Sequence, residues 1–316
     1  MKKISQQQAE FIVAASNEGL TRFPPAALEK DILLTEILHA IKTNSYYESK
    51  LLQPVFGGGT SLIKGFSIIS RMSEDLDFKI MAKNQNENLI TRPELGLLRT
   101  SVQQVLEQNG YFIRESITRD SRRYFNFSLA YESAFEPIVS LRPSLQLEFT
   151  CSRISLDPQF RRVETLLYRD TALDDPYDFE FLCINPTQTA AEKLVGLLRK
   201  VKEIQTRQND RLIRHVYDLH QLKQHGLEEA NFTDAVQRAI EEDYERYKPN
   251  YPEELKDDPV SFLRNSTMNL LSIHNLDQIY ESFVSELISG EYVPLKDALR
   301  SVVELVKNLQ NKALEH

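Results

Sequence analysis

Apolar residues recur at steps of three and four over several stretches of the chain, which is the spacing of one face of an α-helix. In one of these stretches the apolar face consists of Ile32, Leu33, Ile37, Leu38 and Ile41. In the first part of the chain the pattern predicts helices over residues 6–17, 25–43 and 93–109.

Other short segments alternate in polarity or are rich in β-favouring residues, which is typical of strands. The predicted strands are Pro54–Phe56, Leu76–Met81, Tyr111–Ser116, Tyr124–Tyr131, Ser144–Cys151 and Phe179–Ile184. A short helix is predicted over Thr60–Phe66, soon after the first strand. Strands therefore dominate the middle of the chain.

The character of the chain changes at Pro186, after which helical spacing prevails. The acidic, proline-bearing stretch Lys248–Pro259 is predicted to be a loop. Helices are predicted over residues 187–203, 210–224, 228–247, 260–272, 276–289 and 294–313. The sequence therefore predicts an α/β (α+β) domain over residues 1–185 and an all-helical domain over residues 186–316.

Composition limits the class of protein. Of the 316 residues, 41% are hydrophobic, and 38 basic residues stand against 46 acidic ones, for a net charge of −8. This balance excludes a surface that is basic throughout, although a local basic groove is compatible with it. No apolar run approaches the roughly 18 residues of a membrane-spanning helix, and the N-terminus lacks the apolar segment of a signal peptide. We therefore expect a cytoplasmic protein with no membrane partner.

The strongest chemical signal begins with the glycine run Gly57–Gly59. It follows a predicted strand and precedes Thr60 and Ser61. Glycine lets the backbone approach a phosphate closely, and the start of a helix offers free N–H groups. The two hydroxyls and the guanidinium of Arg71 add donors to phosphate oxygens. The segment is predicted to bind phosphate, although it lacks the GxxxxGK[ST] pattern of a P-loop.

Two aspartates lie on the next predicted strand. Asp75 and Asp77 are two residues apart and project from one face, whereas Leu76 and Phe78 point to the core. Adjacent carboxylates repel each other without a counter-charge, and oxygen ligands of this kind suit Mg²⁺. A glycine run alone is usually a turn, and Asp-x-Asp alone is usually an exposed strand edge or loop. In the order strand, turn, helix, strand, they predict a site for phosphate and metal.

The run Gly-Gly-Thr-Ser-Leu at residues 58–62, with Arg-x-Ser-Glu-Asp-Leu-Asp-Phe at 71–78, resembles the signature of the AbiEii/AbiGii toxin family of nucleotidyltransferases. That family includes the MenT-type toxins and belongs to the polymerase-β-like nucleotidyltransferase superfamily. Glu29-Lys30-Asp31 is also similar to the family's N-terminal helix, and the resemblance spans most of residues 25–225. It implies a nucleotidyltransferase domain with a mixed sheet, an NTP substrate and a pair of Mg²⁺ ions.

The resemblance also implies a third acidic residue on a strand in the middle of the domain. Glu148 is the candidate, because alternation places it on the face opposite Leu147 and Phe149. Superfamily members often have Asp here, so Glu148 departs from their pattern. The alternative is a charged residue on the wet face of a sheet. The predicted metal ligands are thus Asp75, Asp77 and Glu148.

Two further motifs lie on predicted C-terminal helices. Lys193, in Thr-Gln-Thr-Ala-Ala-Glu-Lys-Leu, resembles the family's third motif, and a lysine there would neutralise triphosphate charge. Arg211, Arg214 or His215, and Asp218 share one helical face and resemble the fourth motif, in which Asp is common where His215 stands. A solvated surface lysine and an intrahelical salt-bridge set are the alternatives. The functional interpretation is that Asp218 orients Lys193 or the nucleotide.

The resulting hypothesis is a toxin that transfers a nucleoside monophosphate from an NTP. Its predicted catalytic residues are Asp75, Asp77, Glu148, Lys193 and Asp218. Its predicted nucleotide-binding residues are Gly58, Gly59, Thr60, Ser61, Arg71, Ser73 and Arg214. The resemblance implies that the acceptor is the 3′ end of tRNA, so that translation is blocked, and that a cognate antitoxin exists. Phage defence is among the roles of such systems, and no DNA partner is expected.

Two alternatives stay open at this point. One keeps the chemistry and changes the acceptor to a hydroxyl of a protein or of a small molecule such as an antibiotic. The other is a non-catalytic protein that binds a nucleotide or a partner. The pair Asp75 and Asp77 argues against the second alternative, because two neighbouring carboxylates are costly without a cation.

Overall fold

The computed structural model describes residues 1–44, 52–83, 90–138, 140–201, 204, 212–227, 229–247 and 252–313. The chain divides into two compact units. The first comprises Met1–Ile154 and Pro158–Ile184, and the second comprises Ser155–Asp157 and Asn185–His316.

The first unit combines helices with one large sheet. Its described helices are α1 (Gln6–Asn17), α2 (Pro25–Lys42), α3 (Gly58–Lys64), α4 (Arg92–Gln108) and α5 (Leu166–Thr171). Its strands are β1 (Leu52–Gly57), β2 (Asp75–Ala82), β3 (Phe112–Arg119), β4 (Tyr124–Ala130), β5 (Leu145–Thr150), β6 (Gln159–Val163) and β7 (Phe179–Cys183). A 3₁₀ turn, Asp120–Arg122, joins β3 to β4.

The sheet has seven strands in the order β3-β4-β5-β2-β1-β7-β6. The pairs β2–β5 and β1–β7 are parallel, and the other four neighbouring pairs are antiparallel. The prediction of a mixed sheet in an α/β unit is therefore confirmed. Strands β2 and β1, which lie on either side of the glycine turn and its helix, are neighbours at the centre of the sheet.

Phenylalanines from neighbouring strands form a ladder on the buried face of the sheet. Phe149 stacks between Phe125 and Phe78, with ring centroids 4.7 and 4.6 Å away. Phe56 continues the row, 5.8 Å from Phe78 and 6.1 Å from Phe181. Each such pair contributes about 0.5–1.5 kcal/mol beyond the area that it buries. Because every second residue faces this side, the ladder fixes the register of β4, β5, β2 and β1.

Helix α2 is buried around most of its circumference, since every residue from Ala26 to Thr35 is buried. It nevertheless carries three consecutive charged residues, and each has a partner. Glu29 accepts a hydrogen bond from the backbone N–H of Ala134, 2.8 Å away. Asp31 pairs with Lys64 of α3 at 2.6 Å, and Lys30 is paired within the candidate site. These partners are what make buried charge tolerable in the core.

The described secondary structure of the second unit consists of helices joined by loops. Its helices are α6 (Pro186–Arg199), α7 (Ile213–His225), α8 (Glu229–Tyr247), α9 (Glu253–Asp257), α10 (Pro259–Leu271), α11 (Leu276–Leu287) and α12 (Leu295–Ala313). Tyr280 anchors the core, because its buried hydroxyl donates to the carbonyl of Val293 at 3.0 Å. In the parts of both units that are described, no helix is long and apolar enough to span a membrane.

Three elements depart from the sequence predictions. Strand β6 and helix α5 were not predicted, because β6 is an exposed edge without clear alternation and α5 has only six residues. The prediction of a loop over Lys248–Pro259 is wrong for Glu253–Asp257, which forms helix α9. Pro252 precedes that helix, and two glutamates lie in its first turn, both of which favour a helix start.

The ladder makes a quantitative prediction about stability. Substitution Phe149→Ala should lower the free energy of unfolding by about 3–5 kcal/mol, because it leaves a cavity between two stacked rings. Phe112→Ala is the matched control, since Phe112 is 61% exposed and its loss should cost less than about 0.5 kcal/mol. Urea unfolding of the three proteins measures both values. Equal losses for the two variants would contradict the account of the core.

Candidate functional site

The predicted acidic residues lie on the polar face of the central strands. Along β2, Asp75 and Asp77 are half-buried, and the residues between and after them are buried. The register pairs Asp77 with Glu148 of β5 on one side and with Gly57 of β1 on the other. Glu148 is likewise half-buried between buried neighbours. The structure therefore brings Asp75, Asp77 and Glu148 to one face, as alternation predicts.

The glycine turn packs directly against one of these carboxylates. Gly58 has a φ of +70°, a conformation that L side chains rarely adopt, and a Cβ there would lie 2.0 Å from Oδ2 of Asp77. A Cβ on Gly59 would lie 2.7 Å from Oγ of Ser73 and 2.8 Å from Nη2 of Arg71. Both positions require glycine because the side chains of Asp77, Ser73 and Arg71 occupy the space.

The two hydroxyls after the turn are bonded within the protein. The hydroxyl of Thr60 makes a short hydrogen bond to the Asp75 carbonyl and lies 3.0 Å from Oγ of Ser73. Ser61 donates to the carbonyl of Gly58 at 3.1 Å. Thr60 thereby ties the start of α3 to the start of β2. In this structure both hydroxyls hold the shape of the turn.

Asp75 has a counter-ion that the sequence analysis missed. Nη1 of Arg142 lies 2.7 Å from its carboxylate oxygen Oδ1. The backbone of Arg142 is held at both ends: its N–H donates to Glu74 and its carbonyl accepts from Lys30, each at 2.8 Å. Lys30 and Glu74 form an ion pair of 2.7 Å with side chains 0% and 2% exposed. A buried ion pair thus fixes the residue that contacts Asp75.

Opposing influences act on the pKa of the Asp75 carboxyl. Burial raises the pKa of its carboxyl above the ordinary value, the Arg142 guanidinium lowers that pKa, and Glu74 and Glu148 raise it. Burial also lowers the pKa of Lys30, against the attraction of Glu74. Burial, together with the nearby carboxylates, therefore makes the ionised form of Asp75 costly, and added positive charge would stabilise it.

The donor set fits a hard divalent cation. Among the described residues, no three His, Cys, Asp or Glu side chains converge as a ready-made metal site. The polar face nevertheless presents carboxylate oxygens, the ligand type that Mg²⁺ prefers. Mg²⁺ is commonly held by one or two carboxylates together with substrate phosphates rather than by an all-protein cage. Asp75 and Asp77, with Glu148 opposite Asp77, match that mode of binding.

The remaining predicted residues belong to the second unit. Lys193 of α6 pairs with Asp218 of α7 at 2.8 Å, with side chains 9% and 0% exposed. Nζ of Lys193 also lies 3.5 Å from Nδ1 of His215. The alternative of a solvated surface lysine is therefore wrong, because this lysine is buried against a carboxylate of another helix. Arg214 is half-buried on α7, whereas Arg211 lies outside the described residues.

The family model described as "Nucleotidyl transferase AbiEii toxin, Type IV TA system" matches residues 40–301. The chain belongs to this family. The match confirms the family that the glycine run and the two aspartates indicate. An AbiEii member is a nucleotidyltransferase toxin, its substrate is an NTP, and a type IV toxin–antitoxin system implies an antitoxin partner.

Two other comparisons were made, with curated proteins and with solved structures. No curated protein matches the chain. Among solved structures, the chain is similar to MenT4, a nucleotidyltransferase toxin from Mycobacterium tuberculosis H37Rv. That match is 15% identical, covers 96% of this chain and 98% of the MenT4 chain, and has a TM-score of 0.45.

The residues that sequence reasoning missed differ in how visible they are. Lys30 belongs to the charged run Glu29–Asp31, which interrupts an apolar stretch of α2, and Glu74 lies between Ser73 and Asp75. That interruption is a readable signal of a buried pair. Arg142 lies in the irregular segment before β5, where no periodicity places it. Its contact with Asp75 exists only because of the tertiary fold.

The glycine turn of this AbiEii protein gives a test with a matched control. Gly58→Ala and Gly110→Ala each place alanine at a positive φ, +70° and +80°, which should cost about 1–2 kcal/mol of stability. Only Gly58→Ala also collides with the Asp77 carboxylate, since nothing lies within 4 Å of a Cβ at Gly110. Displacing the carboxylate by about an ångström should lower nucleotidyl transfer about a hundredfold.

The measurement is the rate of transfer from labelled NTP, alongside the unfolding free energy of each variant. Gly110→Ala should retain the parent rate despite its lower stability. An active Gly58→Ala protein would show that the close approach of turn and carboxylate is not needed for catalysis.

Proposed function

We propose that this toxin transfers a nucleoside monophosphate from an NTP to the 3′ end of tRNA in a Mg²⁺-dependent reaction and so blocks translation. One observation carries the proposed transfer chemistry, and the tRNA acceptor is what the family resemblance implies. The backbone of the turn at Gly58 lies against the carboxylate of Asp77, which itself stands opposite Glu148. The turn that we propose to bind phosphate and the carboxylates that we propose to bind a cation are therefore next to each other in the sheet.

The three carboxylates would bind the cations, and Glu148 would also take up a proton. Asp75, Asp77 and Glu148 would hold the divalent cations. When bound, Mg²⁺ would neutralise triphosphate charge and polarise the attacking hydroxyl. The hydroxyl oxygen forms a bond to the α-phosphorus, the bond from that phosphorus to the β-bridging oxygen breaks, and pyrophosphate leaves. We assign the proton of the hydroxyl to the carboxylate of Glu148, which shares the polar face with Asp77.

The turn would bind and orient the triphosphate. Without a Cβ, Gly58 and Gly59 leave their N–H groups open to phosphate oxygens. Arg71 and Ser73 lie against Gly59 and would add a guanidinium and a hydroxyl there. Thr60 and Ser61 support the same turn from within. Most of the catalytic effect would then come from positioning and charge stabilisation.

Arg142 would act on Asp75 as a positioning residue. Its guanidinium holds one carboxylate oxygen, and its own backbone is fixed by the Lys30–Glu74 pair. Asp75 therefore has a defined direction before nucleotide and cation arrive. Such preorganisation lowers the cost of assembling the reactive complex.

The helical unit would contribute a buried lysine. The Asp218 carboxylate, fully buried, holds the ammonium of Lys193 at 2.8 Å and so fixes its direction. We propose that Lys193 supplies positive charge to the triphosphate, with Asp218 orienting it, and that Arg214 contacts the nucleotide. The family resemblance supports these three roles, and the buried ion pair is consistent with the first two.

The test is incubation of the purified protein with Mg²⁺, total tRNA and each labelled NTP in turn. Label should appear on tRNA. No label should appear when EDTA is present during the reaction, or when the 3′ end of the tRNA has been oxidised with periodate beforehand. Asp77→Asn should lower labelling about a hundredfold or more, as loss of a transition-state-stabilising group does. Asp178→Asn is the matched control, since the Asp178 side chain is 68% exposed and pairs with a surface arginine, Arg162.

The alternatives correspond to distinct results. Label on a protein or on an aminoglycoside, with none on tRNA, would keep the chemistry and overturn the acceptor. Labelling that survives in Asp77→Asn would overturn the assigned site. No transfer from any NTP to any of these acceptors would overturn the catalytic proposal.

A further inference from the structure

The surface between α4 and the edge strand β3 contains an open cavity of about 670 Å³ that the proposed reaction does not use. Gly96 and Leu97 of α4 form one wall, and Thr118 of β3 lies opposite. Arg99 and Arg122 also line the cavity, and they are its two cationic residues. The cavity belongs to the first unit and lies at the edge of the sheet whose centre carries the carboxylates.

Arg122 reaches this cavity through a strained turn. Asp120, Ser121 and Arg122 have φ values of 48°, 50° and 75°, which are uncommon for residues other than glycine and more so in succession. The Arg122 guanidinium lies over α4 at Gly96, where a Cβ would be 2.3 Å from its Nη1. Strain of this kind clusters at ligand-binding and catalytic sites. The turn and the glycine together place one cationic group in the cavity.

Neither arginine is neutralised by a carboxylate in the described part of the chain. Nη1 of Arg122 makes a long hydrogen bond, 3.5 Å, to the carbonyl of Arg92. Arg99 donates to Oγ of Ser116 at 2.8 Å and lies 5.6 Å from the ring centre of Phe127. Its Nε is buried without a hydrogen-bond partner among the described residues. Both guanidinium groups therefore keep charge and donors for an anion.

The surrounding surface is locally basic on an acidic protein. Residues 92–123 contain six arginines and four carboxylates, whereas the whole chain has a net charge of −8. Among those carboxylates, Glu94 is engaged by the backbone and hydroxyl of Thr91. Arg114 and Arg119 are exposed on β3, the strand that also carries Thr118. A local excess of arginine concentrates polyanions at this edge.

We propose that this cavity binds a phosphate and its adjoining nucleoside in the polynucleotide acceptor, upstream of the reacting 3′ end. Arginine forks match phosphate oxygens, and a hydroxyl such as that of Thr118 suits a ribose or phosphate oxygen. Leu97, which is 57% exposed, offers apolar surface to a base. The inference rests on the proposed function, because it requires a polynucleotide acceptor.

The cavity lies away from the chemistry, on the other face of the sheet: Thr118 pairs with Phe125 of the ladder, whereas Asp77 and Glu148 lie on the opposite face. Strand β3 is three places from β2 in the sheet, a separation of about 14 Å at ordinary strand spacing. The acceptor would have to pass around the edge strand β3 to reach both places, so the contact would be several nucleotides from the reacting 3′ end. It would raise affinity for a long acceptor and leave NTP binding unchanged.

The test measures affinity for fluorescently labelled total tRNA by anisotropy, with Mg²⁺ and without NTP, over a series of salt concentrations. Arg122→Ala should raise the Kd about five- to tenfold and reduce the slope of log Kd against log salt by about 1. Arg162→Ala, which removes an exposed arginine of β6, should leave the Kd and slope at parent values. The affinity of Arg122→Ala for NTP should equal that of the parent.

A second variant keeps the charge and changes the shape. Gly96→Ala adds a methyl group where the Arg122 guanidinium lies, so it should also weaken tRNA binding. Parent-like tRNA binding by both variants, or no tRNA binding by the parent, would overturn the inference. Failure to label tRNA, with Arg122-dependent binding intact, would instead overturn the proposed transfer and support the cavity as a polynucleotide site.

Discussion

The candidate site depends on the register that the buried phenylalanines impose on β5, β2 and β1. Phe149, Phe78 and Phe56 are consecutive members of the ladder, and the next residues along are Glu148, Asp77 and Gly57 on the other face. If the register of one of these strands shifted by one residue, its carboxylates would turn into the core, where an unpaired charge is strongly destabilising. The packing of the phenylalanines on one face therefore determines which polar residues lie side by side on the other face.

Buried charge provides the second layer of order around the site. Helix α2 holds Asp31 against Lys64 at the end of α3, and holds Lys30 against Glu74 immediately before β2. The glycine turn and the start of the aspartate strand are therefore both tied to one central helix. Removing one partner would leave an uncompensated charge in the core, so these pairs specify where the turn must lie. The position of the candidate site is therefore fixed by groups that are not among its predicted nucleotide or metal ligands.

Much of this arrangement could be predicted from sequence, and the limits have physical causes. Alternation around Asp75, Asp77 and Glu148 was enough to place them on one face, because a strand has a period of two. The partner of Asp75 was not predictable, since Arg142 lies in an irregular segment and meets it only through tertiary contacts. Lys193 looked like an ordinary surface lysine by spacing alone; the facing helix is what buries it against Asp218. The predicted roles of these side chains in catalysis remain predictions.

The most direct test of the central claim is to locate the bound cation. A crystal of the protein with Mn²⁺ and a non-hydrolysable NTP analogue, measured at the manganese absorption edge, reports the ion's position by anomalous scattering. The account predicts manganese in contact with the carboxylates of Asp75 and Asp77, with the analogue's phosphates against the turn at Gly58. Manganese and analogue bound away from this face of the sheet would contradict it.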